Sequence, residues 1–150
     1  MAFMLHTTDD GHIPAWEYLP CGAITPKVGM ALTQTSGKLA IATGSTAPTY
    51  ISMTESAAAL TAGTLIPVIR VNGNMVFKTT ASAALTDVSL GDKVTLHATN
   101  GLQITATTEG GVAEIVGMDG TAIGSEVLVR FSAPLPPEED AEEDDSSGEQ

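Results

Sequence analysis

The chain has a single cysteine, Cys21, so no intrachain disulfide can form and cysteine usage points to no redox compartment. It is poor in aromatics, at 4% of 150 residues. A core of this chain must therefore rest on Ala, Thr, Val, Ile and Leu, side chains that pack thin sheets and give little surface for gripping a small substrate. Basic residues are scarce: six Lys and Arg against 18 Asp and Glu. A nucleic-acid binder would carry a basic stripe, and there is none. No apolar run approaches the roughly 18–20 residues needed to cross a bilayer as a helix. Met1–Leu5 is followed by His6, Asp9 and Asp10, which is not a signal-peptide pattern, and the chain reads as soluble and made inside the cell.

The acidity that is present is unevenly placed. The formal charge is −12, but eight of the 18 acidic residues lie from Glu138 onward, which leaves ten acidic and six basic residues before it, a body charge of −4. Glu138–Asp145 holds seven carboxylates in eight positions, directly after Pro134, Pro136 and Pro137. Like charges at that density repel, and nothing apolar offsets the cost of ordering them. Residues 134–150 are expected to be a disordered, solvating tail.

Between Val88 and Phe131 the chain alternates with a period of two. Val94, Leu96 and Ala98 share one face; after Asn100-Gly101, Leu102, Ile104 and Ala106 do the same. Asn-Gly flanked by such runs predicts a type I′ hairpin. Val112–Met118 and Val127–Phe131 follow, separated by Asp119-Gly120. Upstream, Val28–Leu32 and Lys38–Ala42 flank a Gln34–Gly37 turn, and Tyr50–Met53, Leu65–Val71 and Met75–Lys78 read as strands. Pro67 lacks a donor, which predicts an edge strand or a bulge. Ser56–Leu60 reads as a compact loop. The fold expected is all-β: a small barrel, a tulip-like body or a sandwich over residues 27–133.

Residues 1–26 have no clear period. Phe3, Leu5, Ile13, Trp16 and Tyr18 lie there among Pro14, Pro20 and Pro26. Proline at this density prevents a helix and favours an extended path. The segment is expected to be an arm, either tucked across its own domain or laid on another protein. In the second case those five residues are the candidate anchors, and main-chain pairing at a sheet edge would accompany them.

Candidate chemistry is thin. His6, His12 and the Asp9-Asp10 carboxylates form the one cluster of metal-ligand types, at a spacing that matches no common zinc motif. His97 sits on a polar strand face, and Cys21 has no Lys, Arg or His within five residues to depress its pKa. Gly110-Gly111 and Gly117–Gly120 are turn glycines, not a phosphate cradle, since no helix follows them. Neither enzymatic activity nor a cofactor is expected.

Ile24–Leu32, Ser36–Gly44 and Pro48–Met53, followed by the Ile66–Val71 strand, resemble the opening of tailed-bacteriophage head decoration (capsid cement) proteins. In those, an extended arm leads to a strand, a Gly-Lys-Leu turn and a Pro-Thr-Tyr-Ile-Ser-type strand. The order is also similar in pattern to lambda-type head-stabilising proteins. Leu90–Val94 through Val127–Phe131 resembles the closing strands of longer members, so the likeness covers roughly residues 14–132 and leaves the acidic tail outside. The resemblance implies a structural virion protein on the outer capsid surface, made in the host bacterial cytoplasm. It would join the major capsid protein where subunits meet, often as a homotrimer, and hold the shell against the pressure of packaged DNA. It implies no nucleic-acid and no membrane partner. The alternative is a virion- or cell-displayed β module that binds carbohydrate or a host surface.

Overall fold

The structure is a computed structural model that describes residues 2–132. The expected disordered tail falls on residues outside that range. Among the described residues there is no helix, and ten strands carry the fold: β1 (Met4–Thr8), β2 (Trp16–Pro20), β3 (Ala31–Thr35), β4 (Lys38–Ile41), β5 (Tyr50–Ser52), β6 (Leu65–Arg70), β7 (Met75–Thr80), β8 (Lys93–Val94), β9 (Ala113–Met118) and β10 (Glu126–Phe131). They form two antiparallel five-stranded sheets, ordered β1-β7-β10-β9-β8 and β2-β6-β5-β3-β4. The all-β expectation holds.

The main core lies between the sheets. Phe77, Ile115, Val127 and Val129 of the first sheet meet Ala31, Ile51 and Ile69 of the second. Alternation sends the intervening residues of the second sheet, Leu32, Tyr50 and Val68, to its other face. There they join Cys21, Met30, Leu39 and Ile66 in a second, smaller core. The sheet curls around that core. Cys21, one residue past β2, makes a parallel bridge to Leu39 of β4, and the Gly22 N–H donates to the Leu39 carbonyl at 2.8 Å. The body is thus a sandwich whose second sheet bends toward barrel closure. The lone cysteine is a packing residue of that closure.

Turn chemistry explains the sharpest connection. Ser36 and Gly37 both have positive φ, 52° and 80°, between the paired residues Thr35 and Lys38. That is the geometry of a two-residue type I′ hairpin. Asn100-Gly101 does something else. Only Gly101 has positive φ, and Asn100 Oδ1 accepts the Leu102 N–H at 2.7 Å, an Asx turn. The flanking segments are not regular strands. Leu96 and Ile104 make an isolated bridge, while the Leu96 N–H goes to Gly44 and the Gly101 carbonyl accepts from Ala31. The two arms of the expected hairpin are joined all the same, by Thr95 N–H to Thr107, Thr105 N–H to Thr95 and His97 N–H to Gln103, each at 2.9 Å. The arms also bond to Gly44 and Thr80, however, and form no long regular ladder. His97 is half-buried there, its Nδ1 accepting the N–H groups of Thr99 and Asn100 at 3.1 and 3.2 Å.

Pro67 is not on an edge strand, because β6 lies between β2 and β5. Its carbonyl accepts from Met53 N–H at 2.9 Å, and Met53 is one residue past the end of β5. A residue's N–H and C=O point to the same side of a strand. The missing donor therefore falls opposite Met53, at the very end of the β5–β6 ladder.

The leader is not a free arm over residues 1–26. β1 pairs with β7 and β2 pairs with β6, so it supplies one edge strand to each sheet. The Phe3 N–H donates to the Gly29 carbonyl at 2.9 Å, and the leader lies so close to Gly29 that a Cβ there would stand 2.8 Å from the Phe3 carbonyl oxygen. Proline excluded a helix, as the sequence implied, but an extended path is equally a strand path. The body already had edges to receive it.

Candidate functional site

The five leader residues part company in the structure. Phe3 is 0% exposed and stands edge-on to Phe131 with ring centroids 5.1 Å apart. Leu5 is half-buried against the same core. As anchors for another protein these two are corrected: they belong to the inter-sheet core, where β1 brings them over Phe77. Ile13 is 91% exposed in the β1–β2 connection. Trp16 and Tyr18 remain 55% and 60% exposed.

Trp16 and Tyr18 are two apart on β2 and so share one face. Their cross-strand partners are Ile69 and Pro67, and Pro20 pairs with Leu65. Ile69 faces the first sheet and is 3% exposed, Pro67 is intermediate, and Leu65 is 61% exposed. The face has core patterning along its whole length, but the opposing sheet covers only one end. Trp16, Tyr18, Pro20, Leu65 and Pro67 are what protrudes. Contiguous apolar surface of this kind on a soluble protein marks an interaction site more often than chance.

The opposite face of β2 holds the stripe in place. Glu17 accepts from Arg70 through two bonds of 3.1 and 2.9 Å, and the Arg70 guanidinium carbon lies 5.2 Å from the Tyr50 ring centre. The Glu17 side-chain hydrogen bond raises the Arg70 pKa further above its ordinary value. Glu17, Arg70 and Tyr50 thus tie β2, β6 and β5 together from behind. The β1–β2 connection is clasped as well. Arg130 donates to both Asp9 oxygens, at 2.9 and 3.1 Å, and to the Gly73 carbonyl at 2.9 Å. The Arg130 hydrogen bond is the main reason the Asp9 pKa falls below the ordinary carboxylate value.

Among the described residues the outer edge of β2 is open in main-chain terms over Trp16–Tyr18, while its Pro20 end meets β4 at the Cys21–Leu39 bridge. The Cys21 N–H bonds to Thr64, so by alternation Glu17 and Leu19 also turn their backbone groups toward β6. Trp16, Tyr18 and Pro20 turn theirs outward. Pro20 suits that edge, since its missing donor faces away from the ladder.

Elsewhere the surface offers less. A groove of about 410 Å³ on the outer face of the first sheet is lined by His6, Lys78, Asp119, Glu126 and Leu128, and Lys78 and Glu126 lie 3.9 Å apart. His12 is beside Asp10 at 3.3 Å, but among the described residues no three His, Cys, Asp or Glu side chains gather as a metal site. Leu65 and Pro67 were missed from sequence as parts of the stripe. Their shared parity was visible, but the register that sets them beside Trp16 and Tyr18 was not.

The fold and the stripe together define an all-β sandwich with one uncovered core-like face. No family model, no curated protein and no solved structure matches the chain.

Proposed function

We propose that this is a non-enzymatic structural protein of a phage head, which docks on the outer surface of the capsid through the Trp16–Tyr18 stripe and stabilises the shell. The single observation behind the docking surface is that a core-patterned face runs out from under the opposing sheet. The capsid as partner rests on the resemblance of residues 14–132 to head decoration proteins. The partner is the major capsid protein, and the occupied form is a homotrimer at sites where subunits meet. Three equivalent contacts then give avidity beyond any one of them. Aromatic anchors in desolvated pockets commonly contribute at least about 2 kcal/mol each, and backbone pairing along the open edge of β2 would fix the register.

The alternative, a carbohydrate-binding β module, also uses flat aromatic faces. Sugar sites add convergent polar groups that orient the ligand. The neighbours of Trp16 and Tyr18 are Pro20, Leu65 and Pro67, none of which has a polar side chain. That favours an apolar protein surface.

The test is to mix the purified protein with expanded, undecorated shells of its phage. Wild type should add at fixed stoichiometry. Trp16→Ala combined with Tyr18→Ala should lose the addition, with an unchanged far-ultraviolet circular dichroism spectrum. Equal addition by the double variant, or none by wild type, ends the proposal.

A further inference from the structure

The chain holds three asparagines, and two of them, Asn72 and Asn100, are followed by glycine. Asn-Gly is the dipeptide in which a backbone nitrogen most easily reaches the side-chain amide of the residue before it, because glycine has no Cβ to restrict the approach. Both asparagines fold into the same local shape. Asn72 Oδ1 accepts the Asn74 N–H at 3.0 Å, and Asn100 Oδ1 accepts the Leu102 N–H at 2.7 Å. A donor on that oxygen stabilises the oxyanion that forms when a nucleophile adds to Cγ. Dipeptide and turn therefore give the two sites equal chemistry.

Their surroundings differ. Gly101 is buried with φ at 64°, and a Cβ there would stand 2.7 Å from Ile41 Cγ2. Its carbonyl accepts the Ala31 N–H at 2.8 Å. Asn100 Nδ2, the group that would have to leave, donates to Gln103 at 3.3 Å. Asn72 and Gly73 are both exposed in the β6–β7 turn, and the space where Gly73 would carry a Cβ is empty to 4 Å. Among the described residues, neither Asn72 Nδ2 nor the Gly73 N–H has a hydrogen-bond partner.

We propose that Asn72-Gly73 is a self-modification site, deamidating to aspartate and isoaspartate in the folded protein while Asn100-Gly101 stays intact. The Gly73 nitrogen loses its proton to water and attacks Asn72 Cγ. A C–N bond forms, the Cγ–Nδ2 bond breaks, and the amide leaves as ammonia with the proton that the nitrogen lost. One water molecule then opens the succinimide ring. Cleavage at Cγ yields aspartate. Cleavage at the main-chain carbonyl carbon yields isoaspartate, whose backbone runs through the side chain and is one methylene longer. Either product adds a negative charge. The longer turn also bears on the leader, because the Gly73 carbonyl accepts from Arg130 at 2.9 Å and the Asn74 carbonyl accepts the Asp9 N–H at 2.8 Å. Isoaspartate thus displaces two of the groups that hold the β1–β2 connection.

The test is to age the folded protein in mildly alkaline buffer and follow it by peptide mass spectrometry, with a zero-time digest as baseline. Trypsin cuts after Arg70, Lys78, Lys93 and Arg130, so Asn72 and Asn100 fall in separate peptides. Asn72 should convert more than about tenfold faster than Asn100, which must first open its turn locally. In urea-unfolded protein the two rates should come together. Equal rates in the folded protein, or faster loss at Asn100, overturn the proposal, and so does a folded Asn72 far slower than the same residue in urea. The effect on the leader is read by proteolysis in the β1–β2 connection. Aged protein rich in isoaspartate should be cut faster there than fresh protein, and Asn72→Asp, which adds the charge alone, should not. If the aged protein and Asn72→Asp are cut alike, the extra methylene does not loosen the connection and that half of the proposal falls.

Discussion

Two aromatic residues thirteen positions apart, Phe3 and Trp16, look alike in sequence and do opposite work. Phe3 fills the inter-sheet core against Phe131, so Phe3→Ala should cost about 3–5 kcal/mol, read as a lowered midpoint in urea. Trp16 is 55% exposed, so Trp16→Ala should cost under about 1 kcal/mol of stability. Its expected effect is on shell binding, a weakening of about 30-fold for a loss of about 2 kcal/mol. If Trp16→Ala unfolds the protein and Phe3→Ala does not, the two assignments are reversed. Sequence put both in one proline-rich leader and could not separate them. What separates them is register, Leu5 opposite Phe77 and Trp16 opposite Ile69, and register is a property of the assembled sheets.

Among the elements, strands with clean alternation and a defined turn were legible. β3 and β4 around Ser36-Gly37, then β6, β7, β9 and β10, lie where the pattern put them, within a few residues. The segments that failed are those whose backbone serves two masters. Residues 95–107 pair as a hairpin through Thr95, Thr105 and His97, but Leu96, Gly101 and Ile104 give their backbone groups to Gly44, Ala31, Thr80 and Ser82, so the pairing stays short of regular strands. The leader alternates poorly because its strands are sheet edges in which no residue is fully buried, so no core face imposes a period of two. Its connection is held by charge, which makes a pH prediction. Asp9 and Asp10 both have pKa values below the ordinary carboxylate range, Asp9 chiefly through the Arg130 hydrogen bond and Asp10 chiefly through the His12 backbone N–H. A lowered folded-state pKa contributes stability that is fully present above the unfolded value of about 3.9 and is lost as pH falls through the lower folded value. Urea midpoints should therefore hold steady from neutral pH to about 5 and fall below about 4. Asp9→Asn should lower the plateau and make the acid fall shallower. A fall of unchanged depth in that variant would mean that the clasp adds nothing.

For the molecule as a whole, charge and contact surface are separate. The body carries −4 and the stripe carries no charge, whereas seven carboxylates crowd Glu138–Asp145. Docking through an apolar face should then be nearly indifferent to the tail's charge, while colloidal behaviour should depend on it. Replacing those seven by Gln and Asn reduces the formal charge from −12 to −5. The thermal midpoint should not move, since both cores are built from residues before Ser132. Shell binding in 0.15 M salt should stay within about threefold of wild type, because screening already confines surface charge effects to about 8 Å. Solubility is where the loss should appear, as aggregation at concentrations that wild type tolerates. Light scattering against concentration, beside a shell-binding isotherm for the same two proteins, distinguishes the roles. If the neutralised tail instead abolishes binding and leaves scattering unchanged, the shell is held by charge, and the stripe is not the docking surface.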